Sequence, residues 1–329
     1  APGLDINLDL VPRKYEGLDG TELAISESQE RMAVVVAAED ELAFIEKARS
    51  ENLEATRIAT VTANERVRMY WRGKRIVDIS RSFLDTNGVR QKTSVVVKAP
   101  DESRNYFERL SPDIEKLLPD VEQAWYKNMQ DLNVCSQRGL VERFDSTIGA
   151  GTVLMPFGGK YQMTPAECMV AKIPVPEGNT RTGTVMAHGY NPDIFKWSPF
   201  HGAVYSIVEA LSKVAAVGGD YRKTRLTLQE YFEKLGDNGE SWGKPFGALL
   251  GAYYAQKMLG IPSIGGKDSM SGTFNNLNVT PTLVAFAVGI LDVAGVISPE
   301  FKYTGSTVVL LPLRRDENDL PDFVRMDKN

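Results

Sequence analysis

The segment 198–217 has the clearest helical periodicity in the chain. Its apolar residues recur at the i, i+3, i+4, i+7 spacing of an amphipathic helix, and they are Ala203, Ile207, Ala210, Leu211 and Val214. Two glycines, Gly218 and Gly219, follow at once and favour the end of the helix. Because a helix with one apolar face must bury it against another layer, this segment requires a sheet or a second helix packed on it.

Apolar, strand-like segments on both sides of this helix supply the expected sheet. We predict strands at residues 168–175, 183–187, 280–292 and 306–312, whereas residues 139–144 and 152–156 flank a glycine-rich segment. A second long helix is predicted over 242–259, where many Ala and Gly residues favour close packing. The order strand, helix, strand, helix, strand predicts an α/β-type domain that begins near Asn133 and carries its helices on one face of a sheet.

The N-terminal part of the chain has a different order of elements. Strands are predicted at 31–36, 55–62, 67–71 and 75–79, with one helix over 40–52. Arg72-Gly73-Lys74 is a hairpin signal between the last two strands. The resulting β-α-β-β-β order is typical of an α+β domain with a mixed sheet.

These patterns divide the chain into four parts. Residues 1–97 form the first domain, and residues 98–132, which are broken by three prolines, form a connector with a helix at its end. Residues 133–315 form the second domain, and residues 316–329 are a polar tail that we expect to be frayed.

Composition excludes several classes of protein. The 329 residues are 43% hydrophobic and 25% charged, which is ordinary for a soluble chain of about two domains. The net charge is -5 and no basic block exceeds three residues, so nucleic-acid binding has little support. No apolar run reaches the roughly 18 residues of a membrane span. The two cysteines, Cys135 and Cys168, imply no disulfide framework and fit a reducing cytoplasm. The start at Ala1, without an initiator Met or a signal peptide, is typical of a mid-chain boundary.

A polar run precedes the apolar segment at residues 33–36. It reads Ser26-Glu27-Ser28-Gln29-Glu30-Arg31-Met32 and has neither a helical nor a strand period of its own. So many donors and acceptors at the mouth of a strand suit the binding of a small polar ligand. A solvated loop explains the same composition, and the chemistry alone leaves both interpretations open.

A second run, Gly265-Gly266-Lys267-Asp268-Ser269-Met270-Ser271, follows the apolar residues 261–264. Two glycines let backbone approach a ligand closely, the lysine supplies a positive charge, and hydroxyls follow. This is the chemistry of a phosphate site, although the spacing is not that of a Walker motif. A glycine bend at the end of a strand is the structural alternative.

Together the two runs resemble phosphoribosylformylglycinamidine synthase, a family of the aminoimidazole ribonucleotide synthetase superfamily. The resemblance extends from about Asp5 to about Leu313. It implies that the C-terminal-type domain of a first synthetase half is followed here by the N-terminal, ATP-binding-type domain of a second half. The chain resembles an internal part of a larger enzyme.

The resemblance also implies roles for individual residues. In the family, the triplet equivalent to Glu27, Ser28 and Gln29 contacts the ribonucleotide substrate. The glycine equivalent to Gly266 approaches ATP, the position of Ser269 touches substrate, and Lys267 would pair with phosphate. The role of Asp268, either orienting Lys267 or binding a metal, stays open.

Long members of the family hold an auxiliary nucleotide with Mg²⁺ in their second half. Its site corresponds to Ala166 for the nucleotide and to Glu167 and Glu209 for the metal, whereas the family's third ligand, an Asn, is replaced by Lys213. Because Glu209 and Lys213 are four residues apart on a helix, we expect an ion pair in place of the metal.

The remaining candidate residues have structural interpretations. His188 and His201 match no common metal motif, and neither cysteine has the setting of a nucleophile. Gly149 and Gly151 form a lone Gly-x-Gly, for which a turn is the simpler explanation. No catalytic residue is expected in this part of the enzyme.

The implied activity is a ligase reaction in purine biosynthesis. The family uses ATP, Mg²⁺ and ammonia from a glutaminase domain to convert formylglycinamide ribonucleotide to its amidine. The expected partners are the remaining domains of the synthase, including the glutaminase, and a second copy of the fragment, which we expect to be inactive alone. A non-catalytic scaffold that kept the fold is the alternative, and a related small-molecule kinase of the superfamily is a weaker one.

Overall fold

The computed structural model of the chain describes residues 2–14, 16–27, 31–85, 92–144 and 151–326. The chain divides into two compact units, residues 1–92 and residues 93–329. Residues 98–132, which the sequence predicts to be a connector, lie within the second unit.

The first unit is a small mixed sheet with short helices. Its elements are β1 Gly3–Asn7, α1 Gly20–Ile25, α2 Glu41–Ser50, β2 Ala59–Thr62, β3 Arg66–Trp71, β4 Lys74–Ser80 and α3 Arg81–Asp85. The strand order is β2-β1-β3-β4, in which β1 is parallel to β3 and the other pairs are antiparallel. The predicted hairpin is confirmed, because Arg72 and Gly73 have φ angles of 50° and 74°, as a tight hairpin turn requires.

One expectation for this unit is wrong, and one strand was missed. Residues 31–36 form no strand and are exposed, and the sheet is instead completed by β1, which the sequence analysis missed. An apolar run becomes a strand only where a neighbour offers hydrogen bonds, and β1 holds the place between β2 and β3. The predicted helix at 40–52 is present as α2, but it buries none of its residues.

The second unit begins with short elements. They are α4 Pro112–Glu115, α5 Val121–Met129, α6 Arg138–Phe144, β5 Thr152–Leu154, β6 Phe157–Gly158 and β7 Thr164–Pro165. The long elements and the C-terminal ones follow, namely β8 Cys168–Lys172, β9 Thr182–Gly189, α7 Pro192–Trp197, α8 Pro199–Ala216, β10 Arg225–Tyr231, α9 Gly239–Leu259, β11 Ser263–Lys267, β12 Thr273–Phe274, β13 Leu277–Asn278, β14 Thr282–Asp292 and α10 Phe323–Met326.

Six strands of this unit form one sheet in the order β11-β10-β14-β9-β8-β5. The pair β10–β11 is parallel and the others are antiparallel. Alternate residues of β9 and β14 are buried, and α8 packs on the side of the sheet that they form. The contact is close at the end of β9, where an added Cβ on Gly189 would lie 2.0 Å from the carbonyl oxygen of Ser206 in α8. The predicted layer of helices on a sheet is therefore present.

Glycines let α9 pack closely, as the sequence predicts. Gly239, Gly243, Gly247 and Gly251 recur every four residues and so share one side of the helix. A Cβ on Gly243 would lie 1.9 Å from the carbonyl oxygen of Val96, and one on Gly251 would lie 2.1 Å from that of Phe200 in α8. The backbone of Val96 and Phe200 therefore occupies the space that larger side chains on α9 would fill.

Several boundaries differ from the predictions. Residues 139–144, for which no element is predicted, belong to α6. The predicted strand at 306–312 is absent, because no neighbour pairs with these residues in the part of the chain that the structure describes. Strands β10 and β11 were not predicted. The prediction of a frayed tail is wrong for residues 316–323. Phe323 is buried, and the carbonyl oxygen of Asn318 accepts a hydrogen bond from His201 Nε2 at 2.9 Å.

Candidate functional site

Strand order brings the candidate residues of the second unit to one end of its sheet. Ala187, near the end of β9, pairs with Cys168 at the start of β8. Tyr231 at the end of β10 pairs with Thr282 at the start of β14, and Lys267 ends β11 beside β10. We call this the carboxyl end of the sheet, since β9, β10 and β11 all finish there.

An ion-pair cluster lies at the carboxyl end beside β8 and β9. Lys213 Nζ lies 2.7 Å from Glu209 Oε1, 2.9 Å from Glu167 Oε2 and 3.1 Å from the carbonyl oxygen of His188. The other oxygen of Glu209 accepts a hydrogen bond from the backbone N–H of Tyr190 at 3.0 Å. The expected ion pair between Glu209 and Lys213 is confirmed, and Glu167 joins it from outside the helix.

Hydrogen bonds to two carboxylates keep the Lys213 side chain in its charged form. Burial lowers the pKa of Lys213, but the hydrogen bonds to Glu209 and Glu167 outweigh burial and raise the pKa above its ordinary value of 10.5. Burial and the nearby Lys213 charge lower the pKa of His188. Burial raises the pKa of Cys168 to about 11, and its thiol donates to the carbonyl oxygen of Lys213 at 3.0 Å. The cluster is thus an ammonium between two carboxylates, with a neutral thiol beside it.

The glycine-rich run lies at the same end, on the edge strand β11. A Cβ on Gly266 would lie 2.1 Å from the carbonyl oxygen of Leu228, so the close approach to β10 itself requires glycine there. Backbone hydrogen bonding to β10 continues beyond β11, because the N–H of Ser269 donates to the carbonyl oxygen of Glu230 at 3.1 Å. The Lys267 side chain is exposed. This loop therefore offers a cation and hydroxyls to solvent.

Two carboxyl groups, those of Glu230 and Asp268, lie near each other at the glycine-rich loop. The sequence analysis missed Glu230. Burial raises the pKa of Glu230, and the charge of Asp268 raises it further. The alternation of Leu226 and Leu228 was the signal that would have located β10, and with it Glu230.

The structure describes only some of the other predicted residues. Glu27 belongs to the first unit and is exposed. Ser28, Gln29, Glu30 and Gly149 lie outside the described residues. The N–H of Ala166 donates to the carbonyl oxygen of Pro156 at 2.8 Å, and its side chain packs against the core.

The residues at the ion-pair cluster do not fit Mg²⁺, because the Lys213 ammonium already stands between the two carboxylates. Across the described ranges, no group of three or more His, Cys, Asp or Glu side chains is arranged to hold a metal ion. No helix among the same residues is long and apolar enough to cross a membrane.

Comparisons with known proteins agree with the expected resemblance. A family model described as "AIR synthase related protein, C-terminal domain" matches residues 2–72. The phosphoribosylformylglycinamidine synthase subunit PurL of Thermoplasma acidophilum is 28% identical over 88% of this chain and 36% of its own length. PurL of Thermus thermophilus is 26% identical over 96% of this chain and 41% of its own length. Over most of its length the chain is similar to these PurL subunits.

Solved PurL structures share the fold. PurL of Thermotoga maritima complexed with ADP aligns with a TM-score of 0.64 at 19% identity, covering 91% of this chain and 44% of that one. The same enzyme complexed with FGAR aligns with a TM-score of 0.63. The predicted family resemblance and fold class are confirmed, and the chain spans about two fifths of the length of the curated relatives it matches.

Proposed function

We propose that this chain is part of an ATP-dependent ligase that converts formylglycinamide ribonucleotide, glutamine and ATP to formylglycinamidine ribonucleotide. The similarity to PurL over 88–99% of the chain is the observation that carries the proposal. The exposed Lys267 loop at the carboxyl end of the sheet supports it, because a cation beside hydroxyls suits a phosphate group.

In this proposal the chain binds and orients the substrates, and the groups that make and break bonds lie elsewhere in the synthase. ATP would phosphorylate the formyl amide oxygen with release of ADP, Mg²⁺ would neutralise phosphate charge, and ammonia would then displace that oxygen as inorganic phosphate. Lys267 neutralises phosphate charge, and Glu27, Ser28 and Gln29 bind the polar groups of the ribonucleotide. Activity would then require the remaining domains, including the glutaminase, and the chain alone would be inactive.

The substrate role of the triplet is tested by Glu27→Ala and Gln29→Ala in the complete synthase. Each change should lower kcat/KM for the ribonucleotide by about tenfold or more, the loss expected for one or two charge-assisted hydrogen bonds. The fold should survive, because Glu27 is exposed. Glu54→Ala, at another exposed carboxylate of the same unit, is the matched control. Unchanged kinetics in both triplet variants would refute the assignment.

A second candidate function is a non-catalytic scaffold, and Lys213 is the observation that favours it. An ammonium held by Glu167 and Glu209 replaces the metal that an auxiliary nucleotide would need. Isothermal titration of the chain with formylglycinamide ribonucleotide and with ATP separates the two functions, since a scaffold should bind neither. Mass spectrometry of freshly purified, denatured protein should find no ADP, and stoichiometric ADP with Mg²⁺ would show that the auxiliary site is intact.

We also propose that the second unit forms a symmetric dimer through the face of its sheet opposite α8. Apolar side chains occupy the middle of this face, where Val284, Phe286, Val288 and the exposed Ile290 alternate along β14 and Met186 of β9 pairs with Val288. An apolar face of this kind usually finds a partner, and a second copy offers the same surface.

Light scattering at micromolar concentration should therefore give about twice the 36.4 kDa chain mass. Phe286→Glu should shift the protein to the monomer. Phe274→Glu, at an exposed position of the hairpin β12–β13, should leave the mass unchanged. A wild-type monomer would mean that something else covers this face.

A further inference from the structure

Helix α9 carries apolar side chains on its outer side as well as on the side that packs against α8. The side around Gly251 is buried, whereas Phe246, Leu249, Leu250 and Tyr253 are 44%, 52%, 41% and 60% exposed. These four residues follow the i, i+3, i+4, i+7 spacing and so form one stripe along the helix. We call them the outer stripe of α9.

The sequence around the outer stripe is uncharged. No Asp, Glu, Lys or Arg occurs between Lys244 and Lys257, a stretch of about three helical turns. A helix on the surface of a soluble domain places charged or polar residues on its outer face, and a helix that is apolar on every side is a buried one. The outer stripe is therefore the kind of surface that another protein surface covers.

The outer stripe has the same order of spacings in both directions. Extended by one residue at each end, it comprises Trp242, Phe246, Leu249, Leu250, Tyr253 and Lys257. The gaps between consecutive members are four, three, one, three and four residues. Two copies of such a helix can pack antiparallel about a two-fold axis midway between Leu249 and Leu250, with every member of the stripe opposite another member.

This register matches the chemistry of each pair. Leu249 lies opposite the partner's Leu250, and Phe246 lies opposite the partner's Tyr253, which gives an aromatic pair. Lys257 lies opposite the partner's Trp242, where an ammonium can stack on the indole. In one copy the indole ring is held in place, because Trp242 Nε1 donates to the carbonyl oxygen of Gly236 at 2.9 Å.

A parallel pair of the same helices is less favourable. It would place each residue opposite its own equivalent, so the two Lys257 ammonium groups would meet as like charges. It would also leave both Trp242 side chains without a cation. The charges at the end of the stripe therefore select the antiparallel arrangement.

We propose that α9 pairs with α9 of a second copy of this chain, antiparallel and about a two-fold axis between Leu249 and Leu250. The outer stripe exposes on the order of 400 Å² per copy, about half of the roughly 800 Å² per partner that a stable interface buries. The pair therefore forms at submillimolar concentration and dissociates at micromolar concentration. It uses a different surface from the dimer proposed above, whose sheet face lies opposite α8, and it does not depend on the synthase activity.

Sedimentation equilibrium of the Phe286→Glu chain isolates this pairing, because that variant lacks the contact through the sheet face. Its mass should be 36.4 kDa at micromolar concentration and approach twice that value at submillimolar concentration. Adding Leu250→Lys should keep the chain monomeric throughout, since the two-fold axis brings the two new ammonium groups together. A Phe286→Glu chain that stays monomeric at submillimolar concentration would overturn the proposal.

Met258→Lys is the matched control on the same helix. Met258 is apolar and as exposed as Phe246, but it lies outside the outer stripe, so this change should leave the self-association intact. Equal losses from Leu250→Lys and Met258→Lys, or no loss from Leu250→Lys, would also overturn the proposal. Thermal unfolding by circular dichroism checks that the variants are folded, and Tyr253→Lys, at the most exposed member of the stripe, replaces Leu250→Lys if that chain does not fold.

Disulfide cross-linking tests the register itself. Phe246→Cys and Tyr253→Cys are made separately, each together with Cys135→Ser because Cys135 is partly exposed. A mixture of the two chains should form a cross-linked dimer under mild oxidation. Either chain alone should cross-link at least tenfold more slowly, because its two cysteines would lie about 10 Å apart along the helix axis. Cross-linking of Phe246→Cys alone as fast as the mixture would indicate a parallel pair and refute the antiparallel register.

Discussion

Gly251→Ala is expected to lower the free energy of unfolding by about 3 kcal/mol, at the upper end of the usual cost of overpacking. The added Cβ would lie 2.1 Å from the carbonyl oxygen of Phe200, and backbone of α8 cannot move aside as a flexible side chain can. The helices α8 and α9 would have to separate, which would disturb the core of the second unit. Urea unfolding followed by far-ultraviolet circular dichroism measures the change.

Gly247→Ala is the matched control on the same helix. Its added Cβ would meet only Val97 Cγ1 at 3.6 Å and Pro199 Cβ at 4.0 Å, which are ordinary contact distances. Because alanine is favoured over glycine in a helix interior, this change should raise stability by up to about 1 kcal/mol. Equal effects at the two positions would contradict the close approach of α8 and α9.

Lys213→Met should destabilise the chain by about 2 kcal/mol, less than for a fully buried ion pair because the two carboxylates are partly exposed. Without the ammonium, Glu167 and Glu209 would face each other as like charges. The effect should shrink in a Glu209→Gln background, and Lys196→Met, which breaks an exposed pair with Asp193, should change stability little. An equal loss in both backgrounds would show that Lys213 acts through packing alone.

The pH dependence of this difference follows from the raised pKa of Lys213. A raised folded-state pKa contributes stability that is fully present below the unfolded value of 10.5 and is lost as pH rises through the folded value. The advantage of the wild-type chain over Lys213→Met should therefore be constant near neutral pH and decline above about pH 10.5.

The sequence by itself determined the features that depend on neighbours along the chain. The apolar period at 198–217 predicted α8, observed at Pro199–Ala216, and the four-residue spacing predicted the pair Glu209–Lys213. The signal at Arg72 and Gly73 predicted the hairpin in the same way, since a tight turn depends on the φ angles of two residues. The two polar runs indicated the resemblance to phosphoribosylformylglycinamidine synthase, and the similarity to PurL confirms that resemblance.

Only the tertiary structure decided features that depend on residues far apart in the chain. It placed β1 in the middle of its sheet, left residues 306–312 unpaired, and brought Glu167 to Lys213 across the carboxyl end of the other sheet. The convergence of Arg66, Arg68 and Arg75 on Asp78 likewise follows from strand register. A strand forms only with a hydrogen-bonding neighbour, and a charge cluster only where register aligns its members, so neither can be predicted from a local pattern.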